Sequence, residues 1–397
     1  MTRRGVTGFA ALGAGLVALG YGLARFAYGL FVPFIRETLG LSPEAIGFIG
    51  ALTFVSFVAT SLFAPFLAER LGARTTAVLA SAAALVGLAA IAGARGAGVL
   101  ALGVGACGVC TGLIMPTMTE AVRASAPSGL HGRLNAVNNA GTSIGVAAAA
   151  PAVLAWATDW RSAYTAFAAV ALMAAVLAWR HLPGPRPGGN GEAPGTRPAL
   201  GRDQRHAMAT LSVFAFVMGL VSAPYWVFTP DLVTALAGAS PRQTALIWLA
   251  VGLAGLAGGG TGDIVHRLGA PLTHGAALGL LALALVLIAA APGNGAVALL
   301  SAALFGVAYM TLTGLHVVCG VRILHDRPAA GAVPPFTAIA VGQVCGSSLA
   351  GVLIPGFGYA AVFTGFAAAG ALVCTASALV PERAGGTAPT FATDHTG

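Results

Sequence analysis

The sequence predicts an all-α membrane protein with twelve transmembrane helices in two six-helix bundles. Three observations carry that prediction. Hydrophobic residues make up 57% of the chain and charged residues only 8%, with a mean hydropathy of +0.86, whereas ordinary domains carry roughly 25% charge. The apolar residues run in long stretches without strand-like alternation, so helices must satisfy the backbone in lipid. Finally, short segments of the first half recur in order in the second, as "LAERLGA" at 67–73 does in "IVHRLGA" at 264–270.

Taken in order, the elements begin with "MTRRGVTGFAALGAGLVALG", which has the charged front and apolar body of a secretory signal peptide. Its apolar run continues to about Phe34, too long for a signal core, so it reads as an uncleaved first span. Runs of about 20 apolar residues place spans near 8–34, 45–68, 75–94, 97–119, 133–156, 161–180, 207–234, 243–266, 272–291, 295–320, 333–354 and 358–380. Between the sixth and seventh lies "HLPGPRPGGNGEAPGTRPALGRDQRH", rich in Pro, Gly and Arg and without apolar period, the composition of a flexible linker. The expected division is therefore a bundle over 1–182, a cytoplasmic linker over 183–206, a second bundle over 207–382 and a disordered tail over 383–397.

All 20 basic residues are arginines. With twelve spans, fifteen of them fall on the face of the termini and only Arg36, Arg95, Arg161 and Arg242 on the opposite face. That asymmetry predicts cytoplasmic termini and a multi-pass protein of the cytoplasmic (inner) membrane. The net charge of +8 does not point to nucleic acid, because the arginines are scattered singly rather than gathered in a patch. Cysteines 107, 110, 319, 345 and 374 all lie in apolar runs and read as small hydrophobes; the C-x-x-C at Cys107 and Cys110 has no second ligand pair beside it. With no nucleophile and base together, no metal cluster and no phosphate loop, the chain reads as neither an enzyme nor a cofactor protein.

The repeat also carries Tyr28 onto Tyr225 and Pro33 onto Pro230, and, one residue displaced, "GLSPE" at 40–44 onto "GASPR" at 238–242. Parallel six-helix repeats imply two similar bundles with a solute site between them near the midplane, the architecture of a rocking secondary transporter. "APFLAERLGAR" at 64–74 resembles the loop signature between spans two and three of the major facilitator superfamily. Pro65, Glu69 and Ala73 depart from that signature, while the Glu69, Arg70, Gly72 and Arg74 core keeps it. The resemblance implies the major facilitator fold and a gating or conformational role for Glu69, Arg70, Gly72 and Arg74, echoed by Arg267 and Gly269. "ARFAYGLFVP", "LFGVAYMTLTGL" and "AVGQVCGSSLAG" are together similar to the YbfB/YjiJ-like branch, which names no solute. The arginine usual in span four is absent, with Gly108 near its place, and the span-five antiporter motif is only echoed by "NNAGTSIGVAAAAP", which argues against a drug antiporter.

Arg25 is the one charged residue well inside a span. A charge at the bilayer centre costs at least about 2.5–3.5 kcal/mol, so it faces a cavity or a partner. Either Arg25 binds an acceptor group of the solute, or it is capped structurally by a partner such as Gln343. Its repeat position is Ser222, so the charge is not part of the shared scaffold. Further candidate binding residues are Tyr21 and Tyr28 in span one, Met115 in span four, and Asn135, Asn138 and Asn139 on one face of span five. Span seven, interrupted by Pro224 and Pro230, offers Tyr225 and Trp226; spans ten and eleven add Tyr309, Thr313 and Gln343.

Proton coupling is implied by the family resemblance alone, with facilitated diffusion the alternative; His316, the histidine deep in a span, is either a packed side chain or the candidate carrier. The expected partners are a small-molecule solute, protons and the lipid bilayer, with the protein a monomer and no nucleic acid bound. The function read from the sequence is secondary active transport of a small organic anionic or neutral solute by alternating access, its direction open. The alternative is a non-transporting membrane sensor or assembly protein that retains the transporter fold.

Overall fold

In the computed structural model, residues 3–156, 159–184, 200–325 and 328–383 are described. The expected linker falls largely, and the expected tail almost wholly, outside them. Ten long helices account for nearly all of the described chain: α1 (Gly5–Leu39), α2 (Pro43–Ala92), α3 (Ala97–Ser125), α4 (His131–Trp156), α5 (Trp160–His181), α6 (Arg202–Ala237), α7 (Pro241–Leu268), α8 (Ala270–Ala290), α9 (Gly295–Ile323) and α10 (Pro328–Cys374). Nine of these are long and apolar enough to cross a membrane; α4, with its asparagines, is more polar.

Ten helices stand where twelve were expected, and two glycines explain the difference. The stretches 45–68 and 75–94 both lie in α2, which runs through Gly72 (φ 79°, ψ 160°). Likewise 333–354 and 358–380 share α10, which turns at Gly358 (φ 79°, ψ 163°). Both residues adopt a conformation open essentially to glycine alone, so each long helix is two helical arms about a kink. Helix α6 begins at Arg202, inside the stretch expected to be linker.

The sequence repeat is also a backbone repeat. Gly269, matched to Gly72 through the shared Arg-Leu-Gly-Ala, has φ 78° and ψ 160°. Gly40 ends α1 in the left-handed region (φ 64°, ψ 35°), and its counterpart Gly238 ends α6 the same way (φ 60°, ψ 33°). Ser42 and Ser240 then cap α2 and α7, each followed by a proline at the first helical position, where the missing N–H costs nothing. The local chemistry of turn, cap and kink was thus written twice.

Helix α2 packs along α3 and α5, α1 along α4, and α6 along α10, while α8, α9 and α10 lie together. Three seams join helices from opposite ends of the chain: α1 with α6, α2 with α10, and α4 with α7. These seams close to backbone contact. A β-carbon on Gly29 would collide with the Trp226 carbonyl, and one on Gly47 would crowd the Ser347 carbonyl. Small residues are how helices gain packing in a medium that offers no hydrophobic drive between them.

Gly72→Ala and Gly269→Ala should each lower stability by about 1–3 kcal/mol, read as a drop in the thermal unfolding midpoint in detergent. Gly8→Ala, at an exposed helical site with open space around it, should leave the midpoint level or raise it.

Candidate functional site

The π-helical segment Ala18–Phe26 interrupts α1 and carries Arg25. Its closing bond runs from the Ala27 N–H to the Gly22 carbonyl, one residue longer than the α-helical step. π-segments gather at functional sites because they re-aim side chains. Gly22 packs directly on the backbone of Gly145 in α4, with no room for a β-carbon. The repeat-related Ser222 sits in uninterrupted α-helix and bonds back to the Gly219 carbonyl.

Arg25 is 5% exposed. Its Nη2 donates to Gln343 Oε1 at 2.7 Å, and Gln343 Nε2 donates onward to the Tyr309 hydroxyl at 3.2 Å. Its Nε has no partner. Four rings surround the guanidinium, with centroids at 4.5 Å (Phe54), 4.9 Å (Phe57), 5.1 Å (Phe26) and 5.6 Å (Tyr21). Contacts of this kind are worth about 0.5–2 kcal/mol each but supply no negative charge. Among the described residues the ion pairs are Arg36–Asp231 and Arg123–Glu120, so no carboxylate answers Arg25.

A pocket opens beside the guanidinium. Tyr21, Arg25, Met115, Asn139, Tyr309 and Thr313 of the sequence candidates line it, joined by Phe26, Phe57, Thr142, Met310, Phe336 and Ile339. Arg25 is the single charged residue among them, and helices α1, α2, α3, α4, α9 and α10 all contribute. Gln343 stands behind, holding Arg25.

The remaining candidates lie elsewhere. Tyr28 is buried, its hydroxyl bonded to the Ile46 carbonyl. Tyr225 stacks on Phe305 at 3.9 Å and bonds Ser301. Trp226 stacks on Phe26 at 3.9 Å and meets Tyr309 edge-on at 5.0 Å, backing the pocket without lining it. Asn138 is buried against Gly13 with both amide atoms unpartnered, and Asn135 is half-buried outside the lining. His316 is fully buried away from the pocket: its Nδ1 lies 2.7 Å from the Leu312 carbonyl, and its ring meets His274 edge-on at 5.6 Å. Of the gating candidates, Glu69, Arg70 and Arg267 are exposed. Arg70 covers the Phe66 ring, and Arg74 ties α2 to the end of α5 through the Leu182 carbonyl at 2.8 Å.

Sequence reasoning missed Phe54 and Phe57, although their spacing of three puts them on one face of α2. It also missed a polar cluster at the far end of α1. There Arg36 Nη1 lies 2.9 Å from Asp231 Oδ2 and 2.9 Å from the Tyr359 hydroxyl, and that hydroxyl also donates to Asp231. Asp231 is 4% exposed. The cluster joins α1, α6 and α10 where the seams at Gly29 and Gly47 are tight. The signal was present: Arg36 is one of few arginines expected on its face, and Asp231 is an acid at the end of a proline-broken span.

Nine described helices long and apolar enough to cross a membrane define a multi-pass membrane protein. The chain belongs to the Major Facilitator Superfamily, whose family model matches residues 14–333; it is a family of transporters, not enzymes. A search of curated proteins found no match. Among solved structures it is similar to a mutant form of the nucleoside transporter NupG (TM-score 0.74, 13% identity, 94% of this chain and 99% of that one). It is similar also to a bacterial homolog of the human lysosomal transporter Spinster, inward-facing and unoccupied (TM-score 0.74, 13% identity, 96% and 97%), and to an auto-inhibited POT family peptide transporter (TM-score 0.69, 15% identity, 95% and 96%). At these identities the likeness is one of fold.

Asp231→Asn should destabilise the protein by about 1–3 kcal/mol, because it leaves a charged hydrogen bond unanswered in a buried setting. Pairing it with Arg36→Gln should cost less than the sum of the two single changes, as read from thermal unfolding in detergent.

Proposed function

We propose that the protein is a secondary active transporter that carries a small organic, anionic or neutral solute across the cytoplasmic membrane by alternating access, with the Arg25 pocket as its central binding site. The observation that supports this reading most is the buried guanidinium of Arg25, held by Gln343 on one side and without a partner at Nε among the described residues, beside a pocket built from helices of both ends of the chain. Charged groups within membranes mark solute pathways by default. In this reading the arms on either side of Gly72 and Gly358 each cross the membrane, and α4 crosses as well. Twelve crossings result, in bundles over 1–182 and 207–382, with both termini cytoplasmic and a single chain as the working unit. The three short motifs support membership of the YbfB/YjiJ-like branch.

Alternating access needs a closure at each end of the pocket. In this reading Arg36, Asp231 and Tyr359 supply the outer one through the bonds they make to one another. Glu69, Arg70, Gly72, Arg74, Arg267 and Gly269 belong to the opposite, cytoplasmic end, where they act as the moving elements. Proton coupling has no carboxylate or histidine among the pocket-lining residues to use. It falls instead to His316 and His274, whose buried Nε2 atoms both lack partners.

Flux of labelled organic acids and neutral metabolites into proteoliposomes tests the reading. Arg25→Gln should reduce transport of the preferred solute roughly 10- to 100-fold, the loss expected for a charge-assisted hydrogen bond of about 1.5–3 kcal/mol. A pH gradient should stimulate the native protein and have little effect on His316→Asn. Native flux that ignores the gradient would remove proton coupling, and solute binding without flux would favour a sensor that keeps the transporter fold.

A further inference from the structure

Resting on the reading of the Arg25 pocket as the solute site, we infer that its solute is an organic anion of a single charge with a flat, apolar body. The inference comes from what surrounds the guanidinium. Arg25 is buried, it is the sole charge in the pocket lining, and no carboxylate among the described residues is paired with it. A charge removed from water and left uncompensated is held at a cost that one opposite charge cancels. A carboxylate suits a guanidinium in shape as well as sign, since both are planar and the donors and acceptors match in pairs. Gln343 occupies one hydrogen on Nη2, and the buried Nε–H has no partner among the described residues.

A second negative charge on the solute would have no partner, because the rest of the lining is neutral. A cation would meet Arg25 across a poorly screened distance and be repelled. A neutral solute would leave the guanidinium as uncompensated as before. The body of the solute is set by Tyr21, Phe26, Phe57, Phe336 and the two methionines, Met115 and Met310. Rings and polarizable thioethers favour a planar apolar group in edge or stacked contact. Asn139, Thr142 and Thr313 add neutral polar groups to the wall, which suit a hydroxyl or amide on the solute and not a second acid.

The test is titration calorimetry of the purified protein with a matched set: benzoate, terephthalate, benzamide, benzylamine and acetate. These vary the charge on one ring, then remove the ring. Benzoate should bind at least tenfold more tightly than each of the other four. Gln343→Glu then places an internal carboxylate against Arg25 without changing side-chain size. It should abolish the preference for benzoate over benzamide, and Arg25→Gln should do the same. Because the two changes reach one outcome from opposite ends of the contact, a folding defect in either leaves the other to decide.

Terephthalate, benzamide or benzylamine binding as tightly as benzoate, or a benzoate preference that survives Gln343→Glu, would overturn the inference and leave the pocket standing as a solute site. No binding by any of the five would overturn the inference and count against the pocket as well.

Discussion

The structure depends on one unsettled charge. Arg25 sits in an apolar medium where an ion ordinarily finds a counter-ion or stays in water; it is 5% exposed, and no carboxylate among the described residues pairs with it. One side-chain amide and four aromatic rings hold it. These contacts fix its position more than they cancel its charge. The surrounding architecture follows from keeping it so: a π-segment in α1 that re-aims the side chain, a glycine contact between Gly22 and Gly145 that lets α1 lie against α4, and Gln343 reaching across from α10. The cost is the kind that functional sites carry and scaffolds avoid.

Around that charge the two ends of the chain are built to one plan and then made different. Caps, kinks and left-handed glycines repeat with nearly identical angles, as Gly72 and Gly269 show. The functional groups do not repeat. Arg25 corresponds to Ser222, whose hydroxyl merely bonds its own helix. Arg36 and Asp231 are placed to meet each other and Tyr359, not their own counterparts. The symmetric backbone gives two similar parts; the asymmetric side chains make the Arg25 site and the Arg36–Asp231–Tyr359 cluster features that the repeat does not copy.

Much of this was legible in the sequence because hydropathy, arginine placement and turn chemistry are local signals. The membrane class and the recurrence of "GLSPE" in "GASPR" and of "LAERLGA" in "IVHRLGA" came from runs of a few residues, whereas the caps at Ser42 and Ser240 and the kink angles at Gly72 and Gly269 came from the structure. Helix number was harder to read, since the same glycine geometry falls within α2 at Gly72 and between α7 and α8 at Gly269. Within the site, Arg25 and Gln343 stood out as polar residues in apolar runs, and the structure brings them together over 318 positions of sequence. Tyr28 and Tyr225 were equally visible as aromatics, yet they bond Ile46 and Ser301 away from the pocket. Only the rotation of a helix decides between those fates. Phe54 and Phe57 were hidden for the opposite reason: in an apolar span a phenylalanine carries no contrast.

The central claim, that Arg25 is held against stability for the sake of function, is tested most directly by the thermal stability of Arg25→Met combined with Gln343→Leu. Replacing both partners by apolar side chains of similar size removes the buried charge and leaves neither member of the bond orphaned; variant and native protein are compared in a Tyr309→Phe background, because Gln343 Nε2 otherwise bonds the Tyr309 hydroxyl. The account predicts that the double variant unfolds at a higher temperature than the native protein in solute-free detergent. A lower unfolding temperature would mean that the guanidinium is a structural tie and would contradict it.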